Sequence, residues 1–183
     1  MATVITSIGS KSTTGNPVNG ALTMITGGTG SGTPWTGTVK FSTSPTANIG
    51  DQLYFENVYH PGQFGSGCEG GGTADVVYLI TGVSGDTLTV KYISGAYSTT
   101  SPYDIKSDSF CTTAAQPYIV RFYSTLSAWS TDLDESDLYS SGDTAKGECY
   151  KDSDFSMGEL DITEGSTIGL DSRTLTAAVG ERH

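Results

Sequence analysis

Positive charge and histidine are scarce in this sequence. Nine Lys and Arg stand against 20 Asp and Glu in 183 residues, for a formal net charge of −11, and no two bases lie closer than five positions. Neutralising a run of phosphates takes clustered Lys or Arg, so nucleic acid is not expected as a direct partner, nor is an anionic membrane. Long apolar runs are missing as well, and nothing approaches the ~20 residues of a membrane-spanning helix. The opening Met1-Ala2-Thr3-Val4-Ile5-Thr6-Ser7-Ile8 has no cationic start and no unbroken apolar stretch, so no Sec-type signal is expected there. Cysteine is limited to Cys68, Cys111 and Cys149, an odd number at wide spacing and without a C-x-x-C pair. That is too few for a disulfide framework. One bridge with a free thiol, in any of three pairings, and three reduced thiols both fit; cytosolic synthesis favours the second.

Strong helix formers are also thin, which argues against a helical bundle. In their place stand 24 Gly, 23 Ser and 27 Thr, together 74 of the 183 residues, with 10 Tyr. This composition predicts a mainly β protein with many turns. The acidity is uneven. Residues 1–130 carry 7 acids and 5 bases, whereas residues 131–183 carry 13 acids and 4 bases. The asymmetry suggests two modules, the acidic one either a solvated face or a surface that docks on a basic partner.

The chain divides on these patterns into four parts. Residues 1–34 read as an N-terminal strand over 1–8, with Val4, Thr6 and Ile8 on one face, followed by a flexible Ser/Thr/Gly arm with a short strand near Leu22–Ile25. Residues 35–95 carry strand signals at 37–42, 50–59, 75–83 and 87–93, the last two joined by Ser84-Gly85-Asp86 as a hairpin. They predict a small antiparallel barrel or sandwich with a long surface loop at His60–Gly72. Residues 96–117 read as a connector. Residues 118–183 begin with a strand over 118–123, then a helix capped by Ser124 with Leu126, Trp129 and Leu133 on one stripe, then short strands at 146–150, 158–163, 166–170 and 173–178.

Chemistry-bearing constellations are weak. His60 and His183 are the only histidines, and no G-x-S-x-G elbow accompanies them, so a hydrolytic triad is not expected. Asp132, Asp134, Glu135, Asp137, Asp152 and Asp154 lie in polar, turn-rich text that gives a general acid no apolar wall. Asp132-x-Asp134-x-Ser136-Asp137 and Asp152-Ser-Asp154 offer oxygen ligands for calcium, but the EF-hand spacing fails and an exposed acidic turn explains them. The Gly27–Gly32 run lacks a following Lys and reads as a linker. Tyr54, Tyr59, Tyr78, Tyr92, Tyr97 and Tyr103 suggest either a sugar-binding platform or half-buried strand faces. No catalytic residue, metal ligand or cofactor is assigned.

Several short blocks follow in a set order: Ser7-Ile8-Gly9, Arg121, Tyr123-Ser-Thr-Leu-Ser-Ala-Trp129, Tyr139-Ser-Ser-Gly-Asp143, Gly147-Glu-Cys-Tyr150, Asp152 and Gly180-Glu-Arg-His183. In this the chain resembles the N-terminal cap region of right-handed parallel β-helix proteins of phages and prophages, the tailspike- and fibre-like family. The resemblance covers about 60 residues directly and makes the barrel-like stretch an insertion. It implies the start of a β-helix stack under a short helix, with no catalytic residue to carry over.

The expected function is therefore that of a non-enzymatic virion component: a capsid decoration (cement) protein, head-fibre base or tail-associated protein. Its partners would be a major capsid or tail protein and further copies of itself, a trimer being favoured by the resemblance. Interface residues expected on this reading are Tyr123, Leu126, Trp129, Leu175 and Val179. The alternatives are a carbohydrate-binding adhesin or depolymerase fragment, and a secreted calcium-dependent surface protein.

Overall fold

The computed structural model describes residues 2–14, 17–26, 36–59, 73–95, 117–132, 138–152 and 169–180, with the backbone alone at 17–26, 55–59, 73–76 and 94–95. In chain order the elements are β1 (Thr3–Ile8), β2 (Ser12–Thr14), β3 (Pro17–Thr26), β4 (Thr36–Phe41), β5 (Gln52–Tyr59), β6 (Thr73–Ser84), β7 (Thr87–Gly95), β8 (Pro117–Val120), α1 (Leu126–Thr131), β9 (Thr144–Cys149) and β10 (Ser172–Ala177). The described residues are mainly β, as the composition predicts. They form two sheets, one of seven strands in the order β2-β8-β5-β6-β7-β4-β3 and one of three in the order β1-β9-β10.

Every pairing in the larger sheet is antiparallel. The β6–β7 hairpin turns at Gly85, whose φ of 60° lies where a side chain is disfavoured. Period-two alternation then sorts the side chains. Val39, Phe41, Leu53, Tyr78, Ile80, Leu88, Val90 and Ile119 form one buried cluster on a single face. Leu79, between Tyr78 and Ile80, points the other way. It joins a second cluster with Ile8, Tyr123, Trp129, Leu138, Tyr139 and Ala145. One strand thus serves two cores.

The smaller sheet is parallel and in step. Thr3, Thr144 and Ser172 lie side by side, as do Thr6, Gly147 and Leu175, and Ile8, Cys149 and Ala177. Gly147 is required by space: a Cβ there would sit 2.9 Å from Ile8 Cδ1, 2.9 Å from Trp129 Cε2 and 3.0 Å from Leu175 Cδ1. Its missing side chain lets the indole close over the sheet.

Three local expectations are corrected. Within the expected arm, the strand expected near Leu22–Ile25 is present but extends over 17–26, and residues 12–14 are strand as well, because their backbones pair with β4 and β8. The helix is capped by Thr125, not Ser124; Thr125 is extended (φ −143°, ψ 158°) and its Oγ1 accepts from the Ala128 amide at 3.0 Å. The strand expected over 118–123 ends at Val120 because the backbone changes sheets there. The Phe122 amide donates to Ser7 Oγ at 3.0 Å and the Tyr123 amide to Ser7 O at 3.0 Å. Tyr123 thereby makes a single parallel bridge with Ile8 on the far side of β1. Residues 27–34, 60–72, 96–116 and 153–168 lie outside the described residues, and with them the linker, the long loop, most of the connector and the strands expected near 158–168.

Candidate functional site

Four segments meet where the two sheets join: Gly9–Lys11 after β1, Asn48–Asp51 before β5, Arg121 after β8, and Tyr150–Asp152 after β9. The turn before β5 sets the junction. Gly50 has φ 92°, and a Cβ on it would lie 3.0 Å from Ser7 N, so only glycine brings this turn onto β1. Its carbonyl accepts the Ser7 amide at 2.8 Å and its own amide donates to Ile80 O at 2.8 Å, tying β1 to β6 through one residue.

Arg121 occupies the centre. Its Nη1 donates to Asp51 Oδ1 at 2.8 Å and to Asn48 Oδ1 at 3.0 Å. Its Nε and Nη2 both reach Asp152 Oδ2, at 2.8 and 2.7 Å. The guanidinium carbon lies 3.5 Å over the centre of the Tyr150 ring. Lys11 Nζ approaches Asp51 Oδ2 and Asn48 Oδ1, each at 3.3 Å, and the Asn48 amide donates to Asp51 Oδ2 at 2.9 Å. Asp152 is held from its other side by the Ser10 amide at 3.0 Å, while the Ser10 hydroxyl bonds the Asp152 carbonyl. Gly9 makes room for this carboxylate, since a Cβ there would collide with Asp152 Oδ1. Burial acts to lower the Arg121 pKa, but the bonds and charges of Asp51 and Asp152 outweigh it and raise it above the usual value. Two bases and two acids thus neutralise one another. The guanidinium is committed to internal acceptors, and the arrangement fixes segments.

A second polar group lies in the neighbouring core, where Thr6, Tyr123, Trp129 and Tyr139 are all buried. Burial, with Tyr139 and Asp132 close by, pushes the Tyr123 phenol far above its ordinary pKa. Burial likewise pushes Tyr139 up to about 12. Cys149, half-buried beside this core, has its thiol pKa raised by burial alone.

Of the residues expected at an interface, Tyr123 and Trp129 are spent within the chain's own core. Leu126 and Leu175 lie half-buried at its border, and Val179 is 91% exposed. The tyrosine platform is divided: Tyr78 is buried with Tyr92 packed edge-on against it, whereas Tyr54 pairs with Tyr118 across β5 and β8, on the opposite face. Tyr97 and Tyr103, both histidines, and Asp134, Glu135, Asp137 and Asp154 lie outside the described residues. Asp132 caps the end of α1 and Asp152 pairs with Arg121. Among the described residues no cluster of three His, Cys, Asp or Glu is arranged to hold a metal, and no helix is long and apolar enough to cross a membrane.

Sequence reasoning missed Lys11, Asn48 and Asp51. Nothing in local text pairs Asp51 with an arginine 70 positions away. No known protein family, curated protein or solved structure matches the chain.

Proposed function

We propose that the chain is a non-enzymatic structural component of a phage particle, a capsid decoration protein, head-fibre base or tail-associated protein that works by protein–protein assembly in the virion. The observation that carries this reading is the parallel, in-step ladder running from Tyr123 through β1 and β9 to β10. A ladder of this kind is how a solenoid adds rungs, each burying its face against the next. It suits the start of a right-handed β-helix. The blocks that carry the phage-family resemblance meet in the same place: Gly9, Arg121, Tyr150 and Asp152 at the junction, Ile8, Tyr123, Trp129 and Tyr139 in the core beneath it.

The larger sheet is read as a small barrel set into this stack. Its outer strands β2 and β3 follow one another in the chain, so one bent segment serves both ends of the strand order. The partners are a major capsid or tail protein and further copies of the chain, as a trimer. The test is light scattering coupled to gel filtration, followed by co-sedimentation with purified capsids and tails. A trimer that sediments with one of the two supports the reading; a compact monomer that binds neither overturns it.

A carbohydrate-binding role is the second reading, favoured by Tyr54 and Tyr118, whose rings lie 6.3 Å apart on the face of the sheet away from the first core. Glycan-array binding lost on Tyr54→Ala would establish it, and uniform silence of the wild type would remove it.

A further inference from the structure

At the junction an amine faces a carboxamide. Lys11 Nζ lies 3.3 Å from Asn48 Oδ1 and 3.3 Å from Asp51 Oδ2. The Lys11 side chain is 14% exposed and that of Asp51 0%, so bulk water has little access to the group. Arg121 Nη1 bridges the same two residues, at 3.0 Å from Asn48 Oδ1 and 2.8 Å from Asp51 Oδ1. Asn48 Oδ1 therefore accepts from two cationic donors, which fixes the amide with its oxygen toward them, since its nitrogen is itself a donor. The Asn48 backbone amide donates to Asp51 Oδ2 at 2.9 Å, and so holds this side chain's own backbone against the carboxylate. A nucleophile, an acceptor for its proton, a carbonyl and a donor on the carbonyl oxygen are the parts that acyl transfer requires.

We propose that Lys11 and Asn48 become joined by an isopeptide bond, formed by the folded chain itself with Asp51 as the base and Arg121 as the group that stabilises the oxyanion. Asp51 Oδ2 takes a proton from the Lys11 ammonium, and the freed amine attacks Cγ of Asn48. The carbonyl electron pair moves onto Oδ1, where Arg121 Nη1 already donates. Collapse of the adduct restores the carbonyl and breaks the bond from Cγ to Nδ2. The proton held by Asp51 and one more from the linked nitrogen go to Nδ2, which leaves as ammonium. One C–N bond forms and one breaks, nothing is oxidised or reduced, and no co-reactant is needed. Asp51 is the poorer electrophile of the two neighbours, because Arg121 holds it as a carboxylate. Lys11 and Asn48 are 37 positions apart, so the bond would tie the segment between β1 and β2 to the turn that precedes β5.

Mass spectrometry of the full chain, purified folded, incubated at mildly alkaline pH, then reduced and denatured, tests the bond. The wild type should weigh about 17 Da less than its sequence requires, the mass of one ammonia. Proteolysis should then release one branched peptide in which Lys11 is joined to Asn48. Lys11→Arg keeps the positive charge but removes the amine, and should stay at full mass. Asp51→Asn should stay at full mass too, and linkage at the wild-type rate in that variant would overturn the base assigned here. Wild type at full mass after incubation overturns the proposal outright. So does a loss of the same size that persists in Lys11→Arg, which would mean that Asn48 has closed on its own backbone. A branched peptide joining Lys11 to Asp51, with loss of water in place of ammonia, would overturn the choice of Asn48.

Discussion

Arg121 and Asp51 are 70 positions apart in the chain and 2.8 Å apart in space, with side chains 6% and 0% exposed. Their contact joins the end of β8 to the turn that lies on β1, so it closes the seam between the sheets. Removing one partner of such a buried pair strands the other, which costs about 3–5 kcal/mol. Arg121→Met should therefore lower the stability measured by urea unfolding by roughly that amount, because Lys11, at 3.3 Å, is a weaker partner for Asp51. Adding Asp51→Asn to Arg121→Met should cost less than the sum of the two single changes. Strict additivity would mean that the two side chains are not coupled.

Gly147 gives the second prediction. Ile8, Trp129 and Leu175 already close on the space a methyl group would need, and two of the three are buried. Overpacking of this kind typically costs about 1–3 kcal/mol, so Gly147→Ala should lower the urea midpoint with the slope unchanged. Gly180→Ala is no control, since its φ of 85° adds backbone strain. Thr174→Ala is a better one: that residue is exposed on β10, and its replacement should change stability by no more than about 0.5 kcal/mol.

Strand positions were legible wherever apolar residues alternate. Leu88 and Val90 in β7, and Val39 and Phe41 in β4, announce their inward face without help from the rest of the chain. Of the β2–β3 stretch only the part near Leu22–Ile25 was legible; Ser12–Thr14 and Pro17–Gly20 are mostly Ser, Thr, Asn, Pro and Gly, and become strand by pairing with partners from β8 and β4. The junction was hidden for a related reason. Asp51, Arg121 and Asp152 are far apart in the chain, and only the fold brings them together. Tyr123 and Trp129, two of the residues expected at an interface, are buried in the chain's own second core. Large aromatic residues bury well in either setting, and sequence alone does not say which.

Cys149 provides a chemical check on the parallel sheet. It ends β9, half-buried against the second core, and burial raises its thiol pKa. The thiolate is the reactive form, so near pH 8 the folded chain holds less of it than an unfolded chain does. Iodoacetamide labelling followed by mass spectrometry should find Cys149 modified more slowly in native protein than in urea. Equal rates under the two conditions would place the thiol in open solvent and contradict the packing of β9.

The buried tyrosines make alkaline pH the condition under which this core should fail. An unfolded tyrosine ionises near pH ~10. Tyr139 in the folded chain holds its proton up to about 12, and Tyr123 holds its own more tightly still. Above pH ~10 the folded state therefore binds more protons than the unfolded state, and stability must fall as pH rises. The contribution of Tyr139 is fully present below the unfolded value and is lost progressively as pH climbs through the folded one. Urea midpoints should hold steady up to about pH 9 and decline between about pH 10 and pH 12. Absorbance at the tyrosinate band should show a fraction of the ten tyrosines ionising only with unfolding. In Tyr139→Phe the decline should be shallower, because one of the two groups that drive it is gone. If wild type and variant lose stability with the same slope, the phenol of Tyr139 is not sequestered in the folded chain.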